Sequence, residues 1–457
     1  MKSMSYSLKM KFVRIINIAL ITALFTGCWY LYYRQGAATL FYRKGDWLLI
    51  AFFAVLYYYF SNLYEGFNFT YSRVSELIYS QSLGFLVSDG MIYVVISLLS
   101  KRLVNIVPGL ICFVCQIIVA ALWSVISHRW YFSAYSPRKS AVVCETRQGI
   151  ENLIDEYGLK KKFDVQRTYS VSECIENLDS LSEFQTVFLS DVHTHERNII
   201  LKYCVANKIG TFIIPRVGDT IMSSAKRMHM FHLPVLSVGR YNPDLVFIAV
   251  KRLFDIIISA IGLILLSPII LVTSLAIKKY DNGPVFYKQC RLTKDGKEFY
   301  VVKFRSMKVD AEKNGAQLSS GEKDDRITPV GRIIRKLRID EIPQLWNILN
   351  GDMSIVGPRP ERPEIAAVYE EELPEFALRL QAKAGLTGYA QVYGKYNTTP
   401  YDKLLMDLMY ISNPSIVEDL KIMFATIKII FMPESTEGVA EGQTTAMGSE
   451  KDSTTAK

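Results

Sequence analysis

The chain has 457 residues, half of them hydrophobic and 12% aromatic, with a net charge of +9. That apolar share points to a membrane protein, and the basic charge lies beside apolar segments. It therefore suits anionic lipid and phosphate-bearing substrates, not nucleic acid. Seven widely scattered cysteines do not make a disulfide framework.

Four apolar runs open the chain, at about Phe12–Tyr33, Trp47–Tyr64, Leu83–Leu99 and Val104–Ile126. Each is near the roughly 20 residues that cross a bilayer. Lys2, Lys9, Lys11 and Arg14 precede the first run, and Arg129, Arg138 and Lys139 follow the fourth. Four crossings put both basic flanks on one side, the cytoplasmic one, with Arg34, Arg43 and Lys44 outside. A cleavable leader ending near Leu24–Cys28 is the rival for the first run. Continued apolar sequence beyond Cys28 and three further runs argue against it. Cys112 and Cys115 have metal-pair spacing, but they lie inside an apolar run with no second pair, so helix packing is the reading. Residues 1–135 are thus expected to form four transmembrane helices.

Residues 136–245 are soluble in composition. Short apolar runs (Ala141–Val143, Val187–Leu189, Thr211–Ile214) alternate with helical patterns (Ile150–Tyr157, Arg197–Ala206), which predicts an α/β sheet. Glu145–Gly149 follows the first strand without the glycines that let a backbone approach a pyrophosphate, so dinucleotide binding is not expected. Asp191, His193, His195, His229 and His232 form no complete ligand set and read as surface residues.

Leu253–Ile277 is again long enough to span, but it contains Ser267-Pro268 and is flanked by Lys251-Arg252 and Lys278-Lys279. A helix bent at the proline, entering and leaving by one face, keeps both basic pairs cytoplasmic. An ordinary kinked span fits the same residues. Asp255 is spaced to pair with Lys251. Val285–Tyr287 and Phe299–Val302 are expected to pair as strands around Lys294-Asp295-Gly296. Asn314–Asp325 is a polar loop.

Asp340-Glu341 precedes an apolar stretch that ends at Asn350-Gly351. Pro343 and Gly351 frame this stretch as a helix, with the acidic pair at its N-terminus. Upstream stand Lys303, Arg305, Arg326, Arg332, Arg335, Lys336 and Arg338. Such cations can keep Asp340 ionised and hold phosphate oxygens. A carboxylate there can attack phosphorus, while its neighbour helps hold Mg²⁺. Taken alone, the dipeptide is better explained by plain helix capping. Ile416, Leu420, Met423, Ile427 and Ile430 recur at helical spacing, as on an interfacial or a core-facing helix. Residues 433–457 are polar and read as a disordered tail.

These motifs stand in one order: Lys251-Arg252-x-x-Asp255, Ser267-Pro268, Gly283-Pro284-Val285-Phe286-Tyr287, Lys303-Phe304-Arg305-Ser306-Met307, Asp324-x-Arg326, Asp340-Glu341-x-Pro343-Gln344, Gly351-Asp352-Met353-Ser354, Gly357-Pro358-Arg359-Pro360 and Gly385-x-Thr387-Gly388. The series resembles the bacterial polyprenyl-phosphate sugar-1-phosphate transferases, the monotopic phosphoglycosyl transferases, over about Lys251–Phe431. Lys395 departs from the arginine many relatives carry. The resemblance implies a re-entrant helix, residues 253–279, broken at Ser267 and Pro268. It implies Asp340 as nucleophile, Glu341 as Mg²⁺ ligand, and Lys303, Arg305, Arg335 and Arg359 as phosphate-binding residues. The expected architecture is a transmembrane bundle, a Rossmann-like α/β module at 136–245, and an α-rich phosphoglycosyl transferase domain at 246–432. The implied substrates are a UDP-sugar and undecaprenyl phosphate, with UMP released at the cytoplasmic face of the inner membrane to start a capsule, exopolysaccharide or O-antigen unit. Membrane lipid is a partner, nucleic acid is not, and a homodimer is compatible with the sequence. The rival readings are a UDP-sugar oxidoreductase or epimerase, which would need a nucleotide fingerprint, and a non-catalytic membrane scaffold.

Overall fold

A computed structural model of the protein describes residues 2–34, 45–145, 149–309, 326–394 and 398–430. Arg43, Lys44, most of the 145–149 loop, segment 314–325, Lys395 and the tail 433–457 lie outside the described residues. The chain divides into two compact units, Met1–Ile214 and Pro215–Lys457.

The first unit opens with four long helices. They are α1 (Lys2–Cys28, continued by a π-helical turn at Trp29–Tyr33), α2 (Gly45–Leu63), α3 (Val74–Leu99) and α4 (Val107–Ala134). Their polarity is inverted relative to a helix in water. Asn17, Gln81, Gln116 and Ser124 are buried, while Leu48, Ile111, Leu122 and Ile126 are exposed. Only an apolar surround makes that arrangement favourable, and these helices are long and apolar enough to cross a bilayer. Inside, Tyr57 donates to Asn17 at 2.6 Å and Asn17 to Gln81 at 3.0 Å, and Gln81 donates to the Gly66 carbonyl at 2.8 Å. Stacked Phe25 and Phe53, 4.2 Å apart, fill the space beside them.

The sheet of this unit is β1 (Arg138–Cys144), β2 (Phe163–Ser170), β3 (Thr186–Ser190) and β4 (Gly210–Ile213). All pairings are parallel, in the order β2-β1-β3-β4. Helices α5 (Ile150–Glu156), α6 (Val171–Glu176) and α7 (Thr194–Ala206) lie between the strands in sequence. Ala141, Val143, Val187 and Leu189 are buried, as a parallel sheet with covered faces requires.

The second unit begins at Pro215, earlier than the boundary at 245 expected from composition. The reason is packing: α8 (Val217–Ser223) lies against α14 (Pro400–Ser412), where Ser412 donates to the Thr220 carbonyl at 3.2 Å. A hairpin of β5 (Lys226–Met230) and β6 (Leu233–Ser237) follows. Then comes α9 (Leu245–Asp281), 37 residues or about 55 Å if straight. The hairpin expected around Lys294–Gly296 is present as β7 (Phe286–Leu292) and β8 (Glu298–Phe304), closed by Asp295 and Gly296 at φ 59° and 73°. Beyond residue 325 the order is α10 (Pro329–Lys336), α11 (Gln344–Asn350), β9 (Ser354–Val356), α12 (Pro363–Glu372), β10 (Gly385–Thr387), α13 (Tyr389–Tyr393), α14 and α15 (Ile416–Ile430). Val301, Ile348, Met353, Tyr369, Phe376, Leu404 and Tyr410 form its core.

The expected Lys251–Asp255 pair does not form. Asp255 is buried and accepts from the Ser354 hydroxyl at 2.8 Å and the Ile355 amide at 3.0 Å. Lys251 instead meets Asp419 of α15 at 2.6 Å, and Tyr410 donates to the other Asp419 oxygen at 2.7 Å. Tertiary partners win because a buried amide and a buried hydroxyl must be satisfied, whereas a pair along one helix face is worth only a few tenths of a kcal/mol.

Candidate active site

Three elements converge on the acidic pair. Along β8 side chains alternate, so Val301 faces the core and Lys303 lies two residues on along the same face. Asn347 of α11 takes the Val302 amide at 2.9 Å and donates to the Tyr300 carbonyl at 2.8 Å, docking α11 on the strand edge. Helix α10 starts at Thr328, whose hydroxyl accepts from Gly331 N at 2.9 Å, with Pro329 in its first turn. It carries Arg335 and ends where Arg338 takes a left-handed φ of 52°. For a side chain with a Cβ that conformation costs about 1 kcal/mol or more. It turns the chain sharply into a 3₁₀ turn, Ile339–Glu341, holding the dyad. Pro343 and Gly351 (φ 93°) then frame α11 as expected.

The third element is β9 with the Gly357-Pro358-Arg359-Pro360 segment. Here β9 and β10 run parallel, with Ser354 opposite Gly385 and Val356 opposite Thr387. A Cβ on Gly385 would stand 2.2 Å from Gly357 N, and one on Gly357 2.3 Å from the Lys383 carbonyl oxygen. Glycine is therefore required at both positions for the backbones to approach this closely. The approach delivers Arg359 to the dyad.

Glu341 is the electrostatic centre. Arg359 Nη2 lies 3.4 Å from its Oε1, Lys303 Nζ 3.9 Å from the same oxygen, and Arg338 Nη1 3.8 Å from Oε2. Burial disfavours its charge, but Arg359, Lys303 and Arg338 together pull the carboxyl down to about 2. Asp340 moves the other way: burial and the neighbouring Glu341 anion push it up to about 6, against Lys303 and Arg335. Burial also lowers Lys303 to about 8, with Glu341 opposing. One carboxylate is therefore held firmly ionised, and the other is poised just below neutral pH. The upstream cations favour an ionised Asp340. Burial and like charge reduce that effect.

Lys303, Arg359 and the dyad are thus brought together, and the charge of Arg335 reaches Asp340. Arg305 does not join them. Its guanidinium makes a two-pronged pair with Asp281 at the end of α9, and the residue is only 7% exposed. It anchors the helix end. Arg338, in sequence one of several upstream cations without a distinguishing signal, reaches Glu341.

Asp340 and Glu341 are the carboxylates here that a hard divalent cation would use. All three contacts to Glu341 are longer than the 2.7–2.9 Å of a tight charge-assisted bond. The Glu341 oxygens therefore keep acceptor capacity, and a cation beside the pair would relieve the repulsion felt by Asp340. Among the described residues no group of three or more His, Cys, Asp or Glu side chains gathers as a metal site. Any cation here would draw its remaining ligands from substrate and water.

At Pro268 the helix lacks an amide for the Ile264 carbonyl. The Ser267 hydroxyl donates to that oxygen at 2.7 Å. In hydrocarbon an unsatisfied carbonyl costs several kcal/mol, so serine before proline lets helical residues continue on both sides.

The segment that carries the acidic pair, its arginines and the proline-bearing apolar helix has relatives among known proteins. Residues 246–433 match the family described as bacterial sugar transferase. The chain is 37% identical over 233 residues to a UDP-N-acetylgalactosamine-undecaprenyl-phosphate N-acetylgalactosaminephosphotransferase of Aeromonas hydrophila, which covers 50% of this chain and 54% of that protein. It is 40% identical over 183 residues to a UDP-glucose:undecaprenyl-phosphate glucose-1-phosphate transferase of Caulobacter vibrioides, covering 39% of this chain and 68% of the relative. An exopolysaccharide production protein of Rhizobium leguminosarum is 39% identical over 188 residues, 39% of this chain and 94% of its own length. The chain belongs to the bacterial sugar transferases, the polyprenyl-phosphate sugar-1-phosphate transferase family. The match spans about half the length of the Aeromonas relative.

Proposed function

We propose that this protein transfers a sugar-1-phosphate from a UDP-sugar to undecaprenyl phosphate, releasing UMP, at the cytoplasmic face of a bacterial inner membrane. The observation that carries this reading is the division of labour in the dyad: Glu341 held ionised by Lys303, Arg338 and Arg359, and Asp340 titrating near 6 beside it. The Asp340 carboxylate attacks the sugar-bearing phosphorus. The bond from that phosphorus to the bridging oxygen breaks, and UMP leaves with the electron pair. A phosphate oxygen of undecaprenyl phosphate then attacks the same phosphorus and frees Asp340 as a carboxylate. Lys303, Arg335 and Arg359 offset the charge of the diphosphate, and arginine can hold two oxygens at once. Mg²⁺, held by Glu341 with the substrate phosphates, would supply further charge neutralisation. The printed activities of the relatives support the substrate class. The test is UMP release from UDP-glucose, UDP-galactose and UDP-N-acetylgalactosamine with undecaprenyl phosphate and Mg²⁺. Release with none of them would refute the assignment.

The helix α9 is proposed to enter and leave by one face. Both of its ends are held by the second unit: Arg252 donates to the Ile348 and Leu349 carbonyls at 2.6 and 2.7 Å, and Arg305 pairs with Asp281. Its middle is bare, with Ile264 and Leu265 72% and 71% exposed, as lipid contact requires. Single cysteines beside Lys251 and Lys279 should both label only from the cytoplasm; periplasmic labelling after Lys279 would mean a spanning helix instead. The four-stranded sheet is proposed as a Rossmann-like accessory module outside the chemistry.

A further inference from the structure

Behind Arg359 lies an ionic cluster that takes no direct part in the proposed reaction. Arg379, from the 3₁₀ segment Pro374–Gln381, and Asp407 of α14 are only 3% and 1% exposed. Arg379 Nη2 stands 2.7 Å from Asp407 Oδ2 and donates to the Arg359 carbonyl at 2.8 Å. Arg291 of β7 donates to the Pro360 carbonyl at 3.0 Å. Arg291 and Arg379 also reach the Glu361 carboxylate, at 3.6 and 3.9 Å. Two guanidinium groups from separate elements thus grip three consecutive residues, 359 to 361.

Stability does not account for such a cluster. Desolvating each buried ion costs several kcal/mol, and apolar replacement of a whole buried pair is often neutral or stabilising. Burial lifts the Asp407 carboxyl to about 6 against the pull of Arg379, a sign of how unfavourable the site is for charge. Geometry accounts for it better. The carbonyl held by Arg379 belongs to the residue whose own guanidinium is 3.4 Å from Glu341.

We propose that Arg379 and Asp407, with Arg291, are positioning residues that fix the backbone of Arg359 so that its guanidinium meets Glu341 and the substrate diphosphate. The inference rests on the sugar-phosphate transfer reading of the site. Arg379 and Asp407 act through Arg359 and touch no reacting atom.

A paired apolar replacement separates positioning from folding. Arg379→Met with Asp407→Leu removes both charges together, so the fold should survive, with a melting temperature close to that of the parent. Misplacement near 1 Å costs about 100-fold in rate, so kcat for UMP release should fall about 10- to 100-fold, with KM for the UDP-sugar within about threefold. Arg379→Lys, which keeps the charge and one donor, should recover part of the loss. In an Arg359→Ala background the paired replacement should change kcat less than about twofold, because there is no guanidinium left to position. Losses that multiply in that background, or full kcat in a folded paired variant, would overturn the inference. If the paired variant does not fold, Arg379→Lys alone and in the Arg359→Ala background decides by the same criterion. A parent enzyme that releases no UMP would overturn the functional reading, and this inference with it.

Discussion

Replacing Asp340 by asparagine should abolish both UMP release and covalent labelling by a UDP-sugar, with a loss on the order of 10⁴-fold or more. Asparagine keeps the shape of the side chain but offers no anionic oxygen to phosphorus. The fold should not suffer. Asp340 is raised by burial and by the Glu341 anion, so its ionised form works against folding. For such a group stability is lost as pH rises from the ordinary carboxylate value through about 6, and the neutral amide escapes that loss. The melting temperature of Asp340→Asn at pH 7.5 should therefore equal or exceed that of the parent. The same shift sets a pH limb in the parent enzyme. Only the ionised form attacks, so the rate should be level above pH 7 and fall on acidification, with the limb no higher than about pH 6. A divalent cation at the dyad would move the limb to lower pH. Near-parental turnover by folded Asp340→Asn would rule out the covalent route.

Glu341→Gln should lower kcat about 100-fold for a different reason. Three basic side chains surround this carboxylate, and its removal leaves them without their central counter-charge. These side chains are partly exposed, so solvent softens the cost in stability, and the loss falls on their placement around the diphosphate. The dyad also loses its internal repulsion. Glu341 raises Asp340, so its neutral replacement should bring Asp340 down, and the acid limb should move to lower pH while the plateau rate falls. The Mg²⁺ concentration for half-maximal rate should rise in parallel. A pH–rate profile superimposable on that of the parent would show that the two carboxylates do not act as a pair.

Local chemistry was legible in the sequence; choices of partner were not. Pro343 and Gly351 announced α11, and Lys294-Asp295-Gly296 announced the β7–β8 turn, because each signal sits within a few residues of the structure it dictates. The dyad and the Gly357–Pro360 segment stand out as motifs because their residues are contiguous in the chain. The direction of a side chain across the fold was a different matter. Arg305 looked like its neighbour Lys303, yet it faces Asp281, which lies 24 positions earlier. Lys251 and Asp255 had helical spacing, but each found a buried partner on another element. Arg379 carried no local signal, since its partner Asp407 and the carbonyl of Arg359 lie in other segments of the chain. Charge is a property of a residue, whereas a salt bridge is a property of the packing.

Asn347 has one further consequence. A two-stranded ribbon offers an unpaired outer edge on which any extended polypeptide could add itself as a third strand. By accepting from Val302 N and donating to the Tyr300 carbonyl, the Asn347 carboxamide imitates the peptide group of that missing strand. A single side chain thus ends the ribbon at two strands. The two backbone groups beside Lys303 that an incoming strand would pair with are thereby already occupied.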